Sequence, residues 1–302
     1  MSEPEPYLAI VNPAAGGGRS RKMLGPALNR LRGSGIAVEV AETWSAGEAT
    51  QIAREAYAKG RRKFVAVGGD GTSYEVVNGL FPEASAGETP TLGFLPLGTG
   101  NSFLRDFSDR GVEHAIESLI AQRTQSCDVL RLRHRTGVIH YINLLSVGFP
   151  ADVATLRARR FSGQGELGYV ISIFLALARL RRRPFPVRAD GETEFDKRRC
   201  LFLTFNNSKF TGGTMMIAPK AEVNSGLIEY VRWGAIGRMG LMRNLPGLYN
   251  GTHIEHRMAE RKAVQRVQFN LNQAVDVMVD GEVLRLHCEE IDVLPSALKV
   301  VA

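Results

Sequence analysis

The chain has 302 residues, 44% of them hydrophobic, and 38 Lys and Arg against 31 Asp and Glu give a formal charge of +7. This length allows two domains with real cores, and the charge favours anionic partners such as nucleotides, nucleic acid or acidic lipid surfaces. Three scattered cysteines give no sign of a disulfide framework, and neither a secretory signal nor an apolar run of the ~20 residues that span a bilayer is found. We therefore expect a cytoplasmic protein, soluble or peripherally attached to a membrane.

The first half of the chain alternates strands and helices. Buried strands are predicted at 7–11, 36–40, 64–67 and 91–96. Helices are predicted between and after them: one around Leu24, Leu28 and Leu31 with a start or kink at Gly25-Pro26, one from about Gly47 to Tyr57, one over Ser73–Asn78, and one around Val112, Ala115, Ile116 and Leu119. This order predicts a largely parallel sheet wrapped by helices, with ligands at the carboxyl ends of the strands.

Three glycine-rich turns fall at that edge of the predicted sheet, at 12–18, 68–72 and 97–101. Glycines lack side chains, so they let main-chain N–H groups approach phosphate oxygens directly. The helix that follows Gly68-Gly69-Asp70-Gly71-Thr72 would direct its positive end toward the same phosphates. The turns therefore predict a nucleotide site.

Asp70 is the unexplained residue of that site, because phosphates repel a carboxylate. It could bind a metal ion, meet a cation or take a proton during phosphoryl transfer. It could also simply cap the helix that follows it. The residues alone leave these alternatives open.

After Asp128 the pattern changes to strand-like runs at 141–145, 200–205 and 264–269, with hairpin signals at Asp190-Gly191 and Asp280-Gly281. These predict a second domain of antiparallel strands. A helical insert from about Gly165 to Arg182 interrupts it. The insert is either a core helix or a peripheral membrane helix whose arginines meet lipid headgroups.

The motifs in order resemble those of the diacylglycerol kinase and sphingosine kinase catalytic family, in particular its bacterial lipid kinases. They are Asn12-Pro13, 68–72, 75–79, 96–101, 212–221 and 279–282. The resemblance implies an N-terminal Rossmann-like α/β domain of the NAD kinase type, followed by an antiparallel β-sandwich domain, with the nucleotide in the cleft between the domains. It implies domain one at 1–128, completed by the tail 288–302, and a lipid-substrate domain at 129–287.

The resemblance also implies roles for single residues. Glu282 is the first choice for the base that accepts the hydroxyl proton, with Asp70 as the competing choice, and Asp128 matches an acidic position of the metal and water network. The implied nucleotide contacts are Asn12, Thr43, Gly68, Gly69, Asp70, Gly71, Thr72, Glu75, Gly98, Thr99 and Asn101.

Two positions depart from the bacterial pattern. In the family's metal-binding loop, Ser225 stands where an aspartate is usual, so Mg²⁺ held by Glu222, Ser225 and Leu227 would be bound weakly or not at all. Ser102 likewise replaces an aspartate after Asn101. These departures weaken the inference about the substrate.

The sequence as a whole predicts an ATP- and Mg²⁺-dependent kinase that phosphorylates a hydroxyl of a diacylglycerol- or sphingosine-like membrane lipid. Expected partners are the lipid substrate and an anionic membrane surface, with no nucleic acid, and the sequence leaves open whether the chain forms a homodimer. One rival hypothesis is a soluble NAD kinase-like activity. The other is a nucleotide- or lipid-binding protein with impaired catalysis, motivated by Ser102 and Ser225.

Overall fold

The computed structural model describes residues 5–98, 100–161 and 165–302. The chain divides into two compact units, the first containing the chain up to Val129 together with Leu294–Ala302, and the second containing Leu130–Val293. Each unit has its own hydrophobic core, so each is described by itself.

The first unit alternates strands and helices, as predicted. Its elements are β1 (Tyr7–Val11), α1 (Arg19–Gly33), β2 (Val38–Glu42), α2 (Glu48–Ala58), β3 (Lys63–Gly68), α3 (Asp70–Leu80), β4 (Thr91–Pro96), α4 (Val112–Ala121) and the start of β5 (Thr124–His134), with short 3-10 helices at Ala15–Gly18, Glu83–Ser85 and Phe103–Asp106.

The strands of the first unit form a parallel sheet in the order β2, β1, β3, β4. The C-terminal residues Lys299–Val301 add a further parallel strand beside β4. Because helices cover the sheet, the central strands are buried and their side chains are almost wholly apolar, as in Phe64–Val67. The parallel sheet predicted from the βα alternation is confirmed.

Two details of the first unit differ from the prediction. The second strand is displaced toward the C-terminus, because its pairing with β1 runs from Tyr7↔Val38 to Val11↔Glu42. Helix α1 neither starts nor breaks at Pro26 but continues through it. Proline removes one helical hydrogen bond there, and burial of Ala27, Leu28 and Leu31 in the core holds the helix together.

The second unit is rich in antiparallel strands. Its elements after β5 are β6 (Gly137–Tyr141), β7 (Leu144–Gly148), α5 (Phe149–Arg160), α6 (Gly165–Ala178), β8 (Arg183–Pro184), β9 (Val187–Ala189), β10 (Arg199–Asn206), β11 (Phe210–Thr211), β12 (Met215–Met216), β13 (Ile228–Gly234), α7 (Arg238–Asn250), a 3-10 helix at Thr252–Glu255, β14 (Ala259–Val264), β15 (Arg266–Phe269), β16 (Val275–Val279), β17 (Glu282–Leu286) and β18 (Cys288–Val301), whose end lies in the first unit.

One sheet of the second unit runs in the order β14, β13, β10, β7, β16, β17, with antiparallel pairs throughout. A second set pairs β15 with β18 and with β9, and β5 with β6. The core beneath the first sheet contains Phe202 and Trp233, with apolar residues of α6 and α7 packed against them. The prediction of an antiparallel β domain is confirmed.

Two predicted strands of this unit are each broken in the structure. The run 141–145 spans the end of β6 and the start of β7, because the N–H groups of Ile142, Asn143 and Leu144 donate to the Asp280 carboxylate. The run 264–269 changes partners at Gln265, whose N–H donates to the Asp190 carboxylate. Long-range side-chain acceptors, which a local pattern does not show, thus end both ladders.

The helical insert is shorter than predicted, since α6 ends at Ala178 instead of continuing to Arg182. In α7, Arg238 donates to the carbonyl oxygens of Leu177 and Ala178 at 3.1 and 2.6 Å, which satisfies acceptors at the end of α6. Of the helices that the structure describes, none is long and apolar enough to cross a membrane.

Candidate functional site

The two glycine-rich loops after β3 and β4 are joined by main-chain hydrogen bonds. The Gly98 N–H donates to the Gly68 carbonyl at 2.8 Å, and the Asp70 N–H donates to the Gly100 carbonyl at 2.9 Å. These two N–H groups are therefore engaged between the loops. Main-chain hydrogen bonds thus join the two loops at the carboxyl edge of the sheet.

Close packing of the two loops explains why glycine is required there. A Cβ added at Gly98 would lie 2.6 Å from the Gly69 nitrogen, and one at Gly69 would lie 2.9 Å from the Gly100 carbonyl oxygen. At Gly68 a Cβ would lie 2.3 Å from the Thr72 hydroxyl oxygen. The main reason for these glycines is therefore contact between loops.

Asp70 is the first residue of α3, and its carboxylate meets an N–H group outside that helix. Its Oδ1 and Oδ2 accept the Ser102 N–H at 3.0 and 3.3 Å, while α3 has no side-chain cap. The capping hypothesis is therefore wrong. Burial raises the pKa of Asp70 to about 6, against the opposing effect of the Ser102 hydrogen bond.

Asn12 and Thr43 lie at the ends of β1 and β2, in line with the loop after β3. The Thr43 hydroxyl donates to the Val11 carbonyl at 3.1 Å. The Asn12 side-chain oxygen accepts the Ala14 N–H at 3.0 Å. The main-chain N–H of Asn12 donates to the Val67 carbonyl. Both residues thus sit on the edge where the sequence predicts the nucleotide, anchored to the neighbouring strand.

Glu75 and Asn101 have structural partners in the first unit. The Glu75 carboxylate accepts the N–H groups of Gly47 and Ala49 at 3.0 and 3.1 Å, so it stabilises the start of α2. Asn101 donates to the Gly98 carbonyl at 3.0 Å and holds the second loop closed.

Of the other predicted nucleotide contacts, Thr99 lies outside the described residues. Gly71 is the second residue of α3.

Asp128 lies in β5 and is fully buried. Its Oδ1 accepts the N–H of Ser296, at a distance of 2.8 Å. The structure thereby gives this carboxylate a role in holding the returning C-terminal strand. Its predicted role in a metal and water network stays a prediction.

Glu282 is the first residue of β17 and is exposed. It follows the two-residue turn Asp280-Gly281, in which both residues have positive φ, 47° and 90°. Val279 pairs with Glu282 across this turn, so the hairpin predicted from Asp280-Gly281 is confirmed. The turn places the predicted base at the start of a strand.

Asp280, for which the sequence indicated only a hairpin turn, has long-range partners in the structure. It is buried, and its carboxylate accepts three N–H groups, those of Ile142, Asn143 and Leu144, at 2.9 to 3.1 Å. Its own N–H donates to the Leu144 carbonyl. These bonds fix the turn that carries Glu282. The only sign of this turn in the sequence was the Asp-Gly pair, which predicts a turn but not the groups that its carboxylate binds.

The loop around Ser225 was predicted to hold Mg²⁺ weakly or not at all. The Ser225 hydroxyl donates to the Glu222 carbonyl at 3.1 Å, lies 3.4 Å from the Leu227 carbonyl, and accepts the Leu227 N–H at 3.2 Å. In the described part of the chain, no group of three or more His, Cys, Asp or Glu side chains is arranged to hold a metal. The residues present fit a hydrogen-bonded loop better than a magnesium site, since the hydroxyl already engages the carbonyls a cation would need.

Large apolar side chains are exposed on the two helices α6 and α7 of the second unit. Exposed arginines accompany them, among them Arg181, Arg182 and Arg243. The sequence interpretation noted the apolar and basic character of the α6 segment but missed α7. The exposed apolar residues are Val170, Phe174, Met239, Met242 and Tyr249, at 45 to 62% relative exposure.

Comparisons with known proteins cover both units. Residues 6–132 match the family model of the diacylglycerol kinase catalytic domain, and residues 143–302 match that of the YegS C-terminal NAD kinase beta sandwich-like domain. A diacylglycerol kinase of Mycobacterium tuberculosis (strain ATCC 25618 / H37Rv) is 28% identical over 296 residues, covering 97% of this chain and 94% of the relative. A diacylglycerol kinase of Bacillus subtilis (strain 168) is 27% identical over 277 residues, covering 90% and 88%.

Solved structures show the same fold. The crystal structure of a diacylglycerol kinase from Bacillus anthracis str. Sterne matches with a TM-score of 0.74 at 19% identity, covering 100% of this chain and 98% of that one. The predicted fold class, an α/β domain followed by a β-sandwich domain of the NAD kinase type, is confirmed. The chain belongs to the diacylglycerol kinase catalytic family, in the branch of bacterial lipid kinases.

Proposed function

We propose that this protein transfers the γ-phosphoryl group of ATP to a hydroxyl of a membrane lipid, of the diacylglycerol or sphingosine type. The observation that carries the proposal is the interlocked pair of glycine loops at the carboxyl ends of β3 and β4, with the half-buried carboxylate of Asp70 between them. Parallel sheets bind ligands at this edge. Glycine loops next to the start of a helix suit phosphate groups.

In the proposed reaction the lipid hydroxyl oxygen attacks the γ-phosphorus of ATP, the bond from that phosphorus to the bridging oxygen breaks, and ADP leaves. Mg²⁺ bound to ATP would neutralise the phosphate charge. The start of α3 adds the positive end of a helix dipole beside the phosphates. Asn12 and Thr43, at the ends of β1 and β2, lie on the same edge and are the proposed contacts to the rest of the nucleotide.

The hydroxyl proton must go to a base, and two carboxylates compete for this role. Glu282 remains the first choice, because an exposed carboxylate on a fixed hairpin can meet a substrate. Asp70 is the alternative, since its pKa of about 6 leaves it largely ionised at neutral pH and able to accept a proton. Asp70 is equally suited to organising the metal and the phosphates.

We assign the acceptor to the membrane because α6 and α7 expose apolar side chains such as Phe174 and Met239 beside arginines. Apolar residues can enter the headgroup region while arginines meet anionic lipid phosphates. The diacylglycerol kinases among the relatives carry a name that fits a lipid acceptor.

A radiolabelled γ-phosphate assay against diacylglycerol, sphingoid and glycerophospholipid substrates tests the proposal, with NAD in a parallel reaction. We expect a labelled lipid product with wild-type protein and a large loss with Glu282→Ala. Another exposed glutamate of the second unit gives the matched control, Glu289→Ala, which should keep activity. Asp70→Ala should lose activity as well, since both proposed roles of Asp70 require the carboxylate.

Three outcomes would contradict parts of the proposal. Robust NAD phosphorylation without lipid phosphorylation would favour the NAD kinase-like alternative. ATP binding without any turnover would favour an impaired nucleotide-binding protein. Wild-type turnover in Glu282→Ala would remove Glu282 as the base and leave Asp70.

A further inference from the structure

We propose that Trp44 stacks on the base of the bound nucleotide, an inference that rests on the proposed ATP site in the first unit. Trp44 is 77% exposed, more than any other large hydrophobic side chain in the described part of the chain. An indole left in water forgoes the burial that aromatic side chains usually gain. An exposed indole at a ligand-binding edge is therefore suited to be covered by a flat partner.

The place of Trp44 in the sheet is the first support. Val11 pairs with Glu42 of β2 on one side and with Val67 of β3 on the other. The carboxyl ends of β2, β1 and β3 therefore lie side by side. Trp44 follows two residues after the end of the edge strand β2. Two strand spacings, about 10 Å, separate it from the Gly68 loop. A nucleotide with its phosphates on that loop can extend its base to the edge strand.

The main chain around Trp44 is fixed, which is the second support. The Thr43 N–H and hydroxyl both donate to the Val11 carbonyl, at 2.8 and 3.1 Å. The N–H groups of Trp44 and Ser45 both donate to the Glu48 carboxylate. An anchored turn restricts the main chain that carries the indole before a ligand arrives, so less backbone entropy is lost when a base stacks on it.

Local charge distinguishes a base from an anionic membrane as the partner of Trp44. Three carboxylates lie near it in sequence, those of Glu39, Glu42 and Glu48, and Arg61 pairs with the first. The Trp44 and Ser45 N–H groups hold the pKa of the Glu48 carboxyl below its usual range, so that carboxylate stays charged. Carboxylates repel lipid phosphates, whereas an uncharged base tolerates them and ribose hydroxyls can donate to them.

The chain offers a direct optical test, because it has two tryptophans, and the other, Trp233, is fully buried. We would titrate Mg-ATP, Mg-ADP and inorganic tripolyphosphate into wild type, Trp44→Phe and Trp233→Phe while following tryptophan emission and acrylamide quenching. ATP and ADP should change the emission and protect Trp44 from acrylamide, in wild type and Trp233→Phe. Tripolyphosphate, which has no base, should leave both signals unchanged.

Affinity and kinetics give a second readout. Stacking of a base on an aromatic side chain predicts that Trp44→Ala weakens ATP binding by about 5- to 150-fold, measured by calorimetry. The KM for ATP should rise accordingly, with the KM for the lipid unchanged. Trp44→Phe should restore most of the affinity because it keeps an aromatic face. Circular dichroism checks that each variant is folded.

The possible failures are distinguishable. If wild type binds ATP by calorimetry but Trp44 emission and the affinity of Trp44→Ala do not change, the Trp44 inference is overturned and the proposed function stands. If wild type binds no ATP at all, the proposed function fails and the inference with it. If Trp44 emission responds to vesicles of anionic phospholipid without nucleotide, and not to ATP, Trp44 contacts the membrane instead.

Discussion

Asp70→Asn should make the folded protein more stable at neutral pH while abolishing phosphoryl transfer. The carboxylate is charged at neutral pH in a site whose burial disfavours the charge. Asparagine has nearly the same shape, and its side-chain oxygen can still accept the Ser102 N–H that now meets Asp70. The substitution therefore removes the cost of a partly desolvated charge without removing the hydrogen bond. A site that keeps such a charge trades stability for function.

The size of the effect follows from the pKa. The pKa of Asp70 is raised from 3.8 to about 6, and at about 1.4 kcal/mol per pKa unit this difference corresponds to roughly 3 kcal/mol. Because the folded state binds the proton more tightly than the unfolded state, Asp70 lowers wild-type stability as pH rises from about 3.8 to 6. The gain from asparagine should thus approach 3 kcal/mol above pH ~6 and vanish below the unfolded pKa.

Urea unfolding of both proteins at several pH values measures this difference. Glu289→Gln provides the control, because Glu289 is exposed and its neutralisation should leave the unfolding midpoint close to wild type. A destabilised Asp70→Asn protein, or a stability difference that does not change with pH, would refute the reasoning.

The remaining predictions concern glycine packing, the hairpin and the Ser225 loop. In Gly98→Ala the added Cβ would lie 2.6 Å from the Gly69 nitrogen, so the free energy of unfolding measured in urea should fall by about 2 kcal/mol or more. The control Gly25→Ala, with nothing within 4 Å of its Cβ, should raise that free energy by up to about 1 kcal/mol. Equal unfolding midpoints for the two variants would contradict the packing argument. Asp280→Ala leaves three buried N–H groups unpaired and should cost about 2–4 kcal/mol, with lower activity through the displaced hairpin; a wild-type midpoint would count against this role. Ser225→Asp should make the melting temperature rise with added Mg²⁺ while wild type does not respond, and an unchanged response would show that the hydroxyl does not decide metal binding.

Predictions made from local pattern succeeded where local chemistry decides the structure. Phe64–Val67 is apolar enough to be a strand buried on both faces, and glycines after it stop the strand. The Asp280-Gly281 pair tolerates positive φ and so predicts its hairpin without knowledge of the rest of the fold. The helix start predicted as one alternative at Pro26 is wrong, because α1 begins at Arg19 and packing of the helix outweighs one lost hydrogen bond.

Predictions of what each polar side chain touches were less complete, because the partners are distant in the chain. The Asp70 carboxylate accepts the Ser102 N–H. The Glu75 carboxylate accepts an N–H at the start of α2, and α2 and α3 come together only when the chain folds. Asp280 binds main-chain groups 136 to 138 residues earlier. No periodicity or spacing in the sequence encodes such pairs.

The sequence by itself determined the succession of strands and glycine turns along the chain, and its motifs indicated the family. Both the elements and the motifs depend on residues that are close along the chain. Only the tertiary structure decided what those glycines and carboxylates do. It showed that Gly69 and Gly98 are needed where two loops touch, and that Asp70 is a half-buried acid held by Ser102. It also showed Trp44 exposed at the sheet edge. Burial and long-range contact arise only when distant segments pack, and they set the pKa and accessibility on which chemistry depends.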